Sequence, residues 1–463
     1  MRAFEMQPTY ENILSAFENN ILDRNIDVFR FIKLLNSLDS SCAIALDASW
    51  GAGKTFFVKQ VKMALDAFNS HIENPHSVEN ERIFRAWNRI RGTEEIEVQP
   101  QISVYYDAWA NDSDDDPVLS LVYSIMQSVS TDFSFEGKPR FLDVVAGIAE
   151  VLSGRSATAL LETLKSDDPL EKIRSAKSLQ DQVEEFLESL LVERGNRLVV
   201  IIDELDRCNP KFAIRLLERI KHYFNNSRVT FVFALNVAEL QHSIRNYYGS
   251  RFDATRYLER FFDLRIDIPP AKMSQFYQEI ELFDGYHVYE EVCRAVIKLN
   301  HFTLREIERF YRMAKVVAYK PTHNSEQGTF AFPDGKGTEF CVLFIVPLVL
   351  GLKMSDYNRY EGFVSGCDSS PLHELFRSFE DGADLCRNLL DVNETYEGFT
   401  PGRETKLVKL EDKLNTLYHA IFIEQYNGQN YSTEIGKISI RRDSKDIILR
   451  TVSGLSDFAD FEV

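Results

Sequence analysis

Apolar residues in this chain fall into two rhythms. Short continuous runs, Cys42-Ala-Ile-Ala-Leu46, Ile102-Ser-Val-Tyr-Tyr106, Leu198–Ile202 and Val229–Leu235, are rich in β-branched and aromatic side chains and predict strands buried on both faces. Between them the spacing is helical. Ile13, Leu14 and Phe17, then Ile26, Phe29, Ile32 and Leu35, predict two helices broken at Asp23-Arg24. Further helices are predicted over 56–65, 81–90, 117–130, 175–192, 211–224 (with Pro210 at its first position) and much of 243–260. Leu264–Ile268 alternates and stops at Pro269-Pro270, which sets the end of a first domain, 1–270. A largely helical insertion, about 112–180, carries no chemical motif beyond a solvated acidic loop at Asp112–Asp116. Strands alternating with helices predict a parallel sheet covered on both faces.

From 271 to 463 helical spacing prevails, with Thr303 as the cap of a helix near 303–316. Residues 321–338 read as a loop. The apolar run Phe340–Leu352 is interrupted by Pro347 and is too short to span a bilayer, so a buried core helix is expected there. The tail suggests a hairpin of Lys437–Ile440 with Ile447–Leu449 around Asp443–Asp446.

Directly after the first strand stands Ala48-Ser-Trp-Gly-Ala-Gly-Lys54-Thr55. Strand, glycine-rich turn and helix together form a cradle for nucleoside-triphosphate phosphates. Gly51 and Gly53 let the backbone curl so that N–H groups point inward at phosphate oxygens. The following helix adds its N-terminal dipole. Lys54 supplies a full positive charge for the β- and γ-phosphates, and the Thr55 hydroxyl can hold Mg²⁺. Trp50, Gly51, Ala52, Gly53, Lys54 and Thr55 are the candidate nucleotide-binding residues.

The third strand ends in Asp203-Glu204-Leu-Asp206-Arg207. Acids at a strand's C-terminal end lie where open α/β sheets bind ligands. Asp203 would manage the coordination of Mg²⁺, and Glu204 would polarise or deprotonate the attacking water. The two motifs are expected on adjacent strand ends.

Charge and cysteines narrow the class. With 53 basic against 71 acidic residues the net charge is −18, which argues against non-specific binding to nucleic acid or anionic membranes and leaves a local basic patch open. Six cysteines without C-x-x-C spacing indicate neither a zinc site nor a disulfide framework and fit a reducing cytoplasm. The N-terminus lacks the apolar core of a signal peptide, and no transmembrane segment is expected. No paired-acid-and-lysine array or His-rich signature supports a nuclease.

The order of these pieces resembles the KAP family of P-loop NTPases, within the additional-strand ATPases related to AAA+ and STAND proteins. The matching residues are Trp50–Thr55, Tyr106-Asp-Ala-Trp109, Ile202–Pro210, Phe231–Asn236 and Tyr257–Phe262, and they run from about residue 20 to 320. The resemblance implies an α/β P-loop NTPase fold of the additional-strand type, followed by a mainly helical C-terminal region. It also implies ATP and Mg²⁺ as ligands, hydrolysis coupled to conformational change or assembly, and a place in bacterial phage defence. Partners would be further copies of the chain or an operon-encoded effector. Ala48 departs from the usual leading glycine, and Glu204 stands where the family commonly has a second Asp. Many members carry membrane helices between the two phosphate motifs, whereas the insertion here is not apolar. Carried over by position, Asn236 would sense the γ-phosphate and Arg305 would report the phosphates to the second domain. Arg207, Arg256 and Arg260 are candidates for a finger supplied across a subunit interface. Trp50 and Trp109 are expected to pack beneath the phosphate loop. Beside the ATPase stands an alternative, a nucleotide-gated scaffold with little turnover that recruits a separate effector.

Overall fold

A computed structural model of the chain describes residues 7–71, 76–92, 97–114, 116–130, most of 183–194, 194–224, 226–269, 271, 287–322, 336–378, 381–392, 409–424 and 431–454. Most of the insertion, and the greater part of the helix expected over 175–192, lie outside the described residues. Contacts divide the chain into two compact units, Met6–Glu279 and Ile280–Val463.

The first unit is built on five strands: β1 (Cys42–Asp47), β2 (Gln101–Asp107), β3 (Arg197–Asp203), β4 (Val229–Leu235) and β5 (Leu264–Asp267). All neighbours run parallel, in the order β2-β3-β4-β1-β5. Every residue of β3 and β4 is buried, as their unbroken apolar sequences require of central strands. β5 is largely exposed and forms one edge.

Alternation along the strands sends side chains to two faces. Val104, Tyr106, Val200, Ile202, Phe231 and Phe233 join one core with the helix Pro117–Ser130 and the helix Pro210–Tyr223. On the other face Ser103 and Tyr105 meet the helix Lys54–Phe68, through the Ser103 hydroxyl on Asp66 and Lys59 Nζ at 4.8 Å from the Tyr105 ring centre. Helices Asn25–Ser37 and Asn80–Arg91 thicken that face, where the Trp87 ring meets Phe68 edge-on and Phe29 at a tilt. The sheet is therefore covered on both sides. The segment 243–260 is not one helix: Val237–Tyr248 stops at Gly249, and a five-residue helix follows at Ala254–Leu258. Gly249 takes a positive φ that ends the helical run.

The second unit is organised by Lys336–Ser355, a continuous helical stretch in which an 18-residue window is 83% buried. By length and composition it is long enough to cross a membrane, longer than its sequence suggested. Pro347 does not break it because the turn widens to π geometry at Cys341–Ile345, just before the proline, so the missing N–H interrupts no regular ladder. Among the described residues it is the one such helix.

The expected tail hairpin is corrected. The paired strands are Ser432–Ile435 and Ile438–Arg441, and Ser444–Val452 is a helix. The turn sits at Gly436-Lys437, where Gly436 adopts φ +61 and a Cβ would lie 2.4 Å from the Leu390 carbonyl carbon. A left-handed residue pressed on backbone fixes the register there. Gly436→Ala is expected to cost about 2 kcal/mol or more in urea unfolding, and the exposed neighbour Lys437→Ala less than about 0.5 kcal/mol.

Candidate functional site

β1 ends at Asp47 and the chain turns at once into the glycine-rich loop, anchored by the Ala48 N–H on the Leu235 carbonyl of β4 at 3.3 Å. Gly51 and Gly53 hold φ +76 and +85, values that a side chain would resist. Gly53 is also the cap of the helix Lys54–Phe68 and supplies no side-chain acceptor. The first N–H groups of that helix are thus left to an anion. Lys54 is buried and donates to the carbonyls of Ala48 at 2.7 Å and Ser49 at 3.2 Å. Burial lowers its pKa, while Asp206, Asp203 and Glu204 pull it back up. The ammonium rests on its own loop, within reach of three acids.

Asp203, at the end of β3, is fully buried. It accepts hydrogen bonds from the Tyr105 hydroxyl at 2.9 Å and from the Glu204 N–H at 2.9 Å, and the Thr55 side chain lies near enough to lower its pKa. Burial raises its pKa, and the three groups oppose the rise. Desolvation raises Glu204 as well, reinforced by Asp203. Glu204 takes the left-handed conformation, φ +63, at the start of the turn Leu205–Arg207. Its carboxylate is ion-paired with Arg207 Nε at 2.5 Å, and that guanidinium lies 5.6 Å from the Trp109 ring centre.

Thr55 and Asp203 meet even though their strands are not neighbours. β4 lies between β1 and β3, so the expected adjacency of the two motifs is corrected. Two strand spacings leave about 10 Å between β1 and β3. The loop and the first turn of its helix cross that gap over the end of β4.

The tryptophans are also corrected. Trp50 is 46% and Trp109 54% exposed, so neither packs beneath the loop. Instead the Trp50 indole N–H donates to Asp206 Oδ2 at 2.5 Å, tying the phosphate loop to the acidic turn. Asp206 itself is buried, with Oδ1 unpartnered among the described residues.

Asn236 follows β4 at the same sheet edge, and its Oδ1 caps the helix Val237–Tyr248 by accepting from Ala238 and Glu239 N–H. Its amide nitrogen is left to donate. Arg256 is exposed and lies 3.7 Å from Asp253, and Arg260 is exposed. Arg305 belongs to the other unit, exposed on the first turn of Leu304–Thr322. Asp112 accepts from the Asn209 N–H at 3.2 Å and Asp116 pairs with Arg219 at 3.7 Å, so the acidic loop is pinned to the start and middle of one helix. Three contributors escaped sequence reasoning: the Tyr105 hydroxyl on Asp203, Asp206 under Trp50, and Arg24 on the Ala52 carbonyl. The in-register pairing of Tyr105 with Ile201 and of Asp107 with Asp203 creates the first of these, and no linear pattern announces it.

A phosphate chain with its metal fits this donor set. The loop presents N–H groups and Lys54, while Thr55 and Asp203 offer one hydroxyl and one carboxylate side by side. Among the described residues no group of three or more His, Cys, Asp or Glu could hold a metal ion. Mg²⁺ takes one or two protein ligands and completes its shell with phosphate oxygens and water, so one hydroxyl and one carboxylate would be enough to hold it.

Residues 28–313 match the family model described as the KAP family P-loop domain. The chain belongs to the KAP family. Residues 28–313 are thus a nucleotide-binding P-loop NTPase domain, which takes in most of the first unit and the start of the second. No curated protein matches the chain. Among solved structures it is similar to the ORC2 protein of Aeropyrum pernix in its ADPNP and ADP complexes, at 12% identity over 95% of this chain and 94% of that one, with a TM-score of 0.29. A likeness that loose carries no argument.

The raised pKa of Asp203 has a thermodynamic consequence in this KAP domain. The folded state holds the Asp203 proton more tightly than the unfolded chain does, so ionisation costs stability as pH rises above the ordinary carboxylate range. Without nucleotide or metal, wild type should therefore lose stability relative to Asp203→Asn between about pH 4.5 and about pH 7.5. Paired thermal melts at the two pH values check this through the change in the gap, whatever its starting size. A constant gap would contradict it.

Proposed function

We propose that the nucleotide is ATP and that the KAP domain hydrolyses it. The observation that carries this reading is the buried Asp203 carboxylate with the Thr55 side chain near it and Lys54 within electrostatic reach, since these are the groups that would hold Mg²⁺ and phosphate. Lys54 and the loop N–H groups would bind the β- and γ-phosphates. Thr55 and Asp203 would hold Mg²⁺, which would supply charge neutralisation at the phosphate oxygens. Glu204 accepts a proton from water as its oxygen bonds to the γ-phosphorus. The bond from that phosphorus to the bridging oxygen breaks, and ADP and phosphate leave. Asn236 donates from its amide nitrogen to the γ-phosphate, and Arg305 reports the bound state in the helical unit. Coupling of nucleotide state to conformation or assembly, in bacterial phage defence, extends the same reading to the family's implied setting.

A second reading is favoured by one contact. With Glu204 ion-paired to Arg207 at 2.5 Å, the water-activating acid is engaged, which suits a chain that binds ATP with little turnover and recruits an effector. Nucleotide binding and phosphate release by wild type, Lys54→Ala and Glu204→Gln separate the two. Hydrolysis predicts lost binding for Lys54→Ala, and for Glu204→Gln retained binding with turnover reduced about 10²–10⁴-fold. Equal phosphate release by all three proteins rejects the ATPase. Firm binding with negligible turnover in wild type selects the scaffold.

A further inference from the structure

Behind the phosphate loop lies a cation that the catalytic reading does not use. Arg24 is in the turn between the helix Tyr10–Glu18 and the helix Asn25–Ser37, and it is 3% exposed. Its Nη1 donates to the Ala52 carbonyl at 2.7 Å and its Nη2 to the Pro269 carbonyl at 2.6 Å. Its Nε has no partner among the described residues. Among the described residues no carboxylate touches it; Asp27 acts on it only through space, and burial pushes its pKa down to about 10. A buried guanidinium met by two neutral carbonyls is costly, so its place needs a compensating role.

The turn that presents it is itself strongly determined. Asn20 and Asp23 both take left-handed backbone conformations, φ +52 and +51. Asn20 Nδ2 donates to Asp23 Oδ1 at 3.0 Å, Asn25 N–H donates to Asn20 Oδ1 at 3.1 Å, and the Asn25 amide reaches the Phe17 carbonyl. Two strained residues and a closed set of hydrogen bonds hold one arginine against the loop.

Ala52 sits between the two left-handed glycines at the bend of the cradle. Its peptide with Gly53 is trans, as every described bond is, so a carbonyl pulled toward Arg24 turns the Gly53 N–H the opposite way. The positive charge behind the carbonyl also polarises that peptide and strengthens its N–H as a donor. We propose that Arg24 is a positioning residue of the nucleotide site: it orients and polarises the Ala52–Gly53 peptide for phosphate, and clamps the loop to the chain leaving β5 at Pro269. This rests on the P-loop binding a nucleotide polyphosphate. It predicts that charge at position 24 matters for phosphate affinity although the side chain makes no contact with phosphate.

The test compares Mg·ATP affinity, by calorimetry, for full-length wild type, Lys54→Ala, Arg24→Ala and Arg24→Lys, each with a thermal melt. Arg24→Ala is expected to bind about 10–100-fold more weakly while remaining folded. Arg24→Lys keeps the charge near neutral pH and binds close to wild type there. A lysine so buried loses its proton far below its solution value, so its affinity should fall relative to wild type between about pH 7 and about pH 9.5. Lys54 is common to both proteins and cancels in the ratio. A purely structural arginine would give no such pH-dependent ratio. Folded Arg24 variants that bind within twofold of wild type at every pH overturn the proposal and leave the nucleotide site standing. Should Arg24→Ala fail to fold, Arg24→Lys decides alone, a flat ratio counting against the proposal. Wild type that binds no better than Lys54→Ala removes the nucleotide reading, and this inference with it.

Discussion

The site depends on one buried carboxylate. Asp203 is ionisable, wholly removed from water, and held by the Tyr105 hydroxyl on the neighbouring strand and the N–H of Glu204, with the Thr55 side chain after the phosphate loop close by. Burying such a group is expensive unless its oxygens are satisfied, and here the Tyr105 hydroxyl and the Glu204 N–H satisfy them. The same desolvation runs through the site. Lys54 leans on its own loop carbonyls, Glu204 sits in a left-handed conformation against Arg207, and Arg24 faces carbonyls rather than an anion. These costs accumulate in one place, as expected where a polyanion and a cation are to be received.

The strand order explains how distant stretches converge. Because β4 separates β1 from β3, the phosphate loop and the acidic turn stand apart at the sheet edge with Asn236 between them. That spacing leaves room above β4, which the first turn of the helix Lys54–Phe68 bridges through Thr55. The Trp50 indole makes a second bridge, to Asp206. Both tryptophans near the site present much of their surface to solvent, an unusual use of large rings that polar tethers make tolerable. Arg207 links Glu204 to the Trp109 face, so the acidic turn and the loop after β2 are mechanically joined.

The second unit follows a different logic. Its central helix is almost uniformly apolar and is enclosed by packing on all sides rather than along one stripe. Pro347 is absorbed by π geometry one turn earlier, and the Ile435–Ile438 pair closes a small hairpin on a glycine that no other residue could replace without moving backbone. Local signals misled here for a physical reason. Ile447–Leu449 carries β-branched residues, yet its 3.6-residue burial pattern and the Ser444 start make it a helix once it has a partner surface.

What the sequence determined by itself was the short-range chemistry of the phosphate loop and of the central strands. The continuous apolar runs of β3 and β4 are the buried strands they predicted, Gly51 and Gly53 form a left-handed loop, and Lys54 and Thr55 open a helix while Asp203 and Glu204 stand at the end of β3. Tertiary structure alone decided which strands are neighbours, that Tyr105 and Thr55 lie at one carboxylate, that Trp50 caps Asp206 instead of packing inward, and that Arg24 lies behind Ala52. Hydrophobic periodicity records whether a residue faces a core, but it carries no information about which other segment supplies that core. Hydrogen bonds between residues 28 or 98 positions apart are set only when the sheet fixes its register.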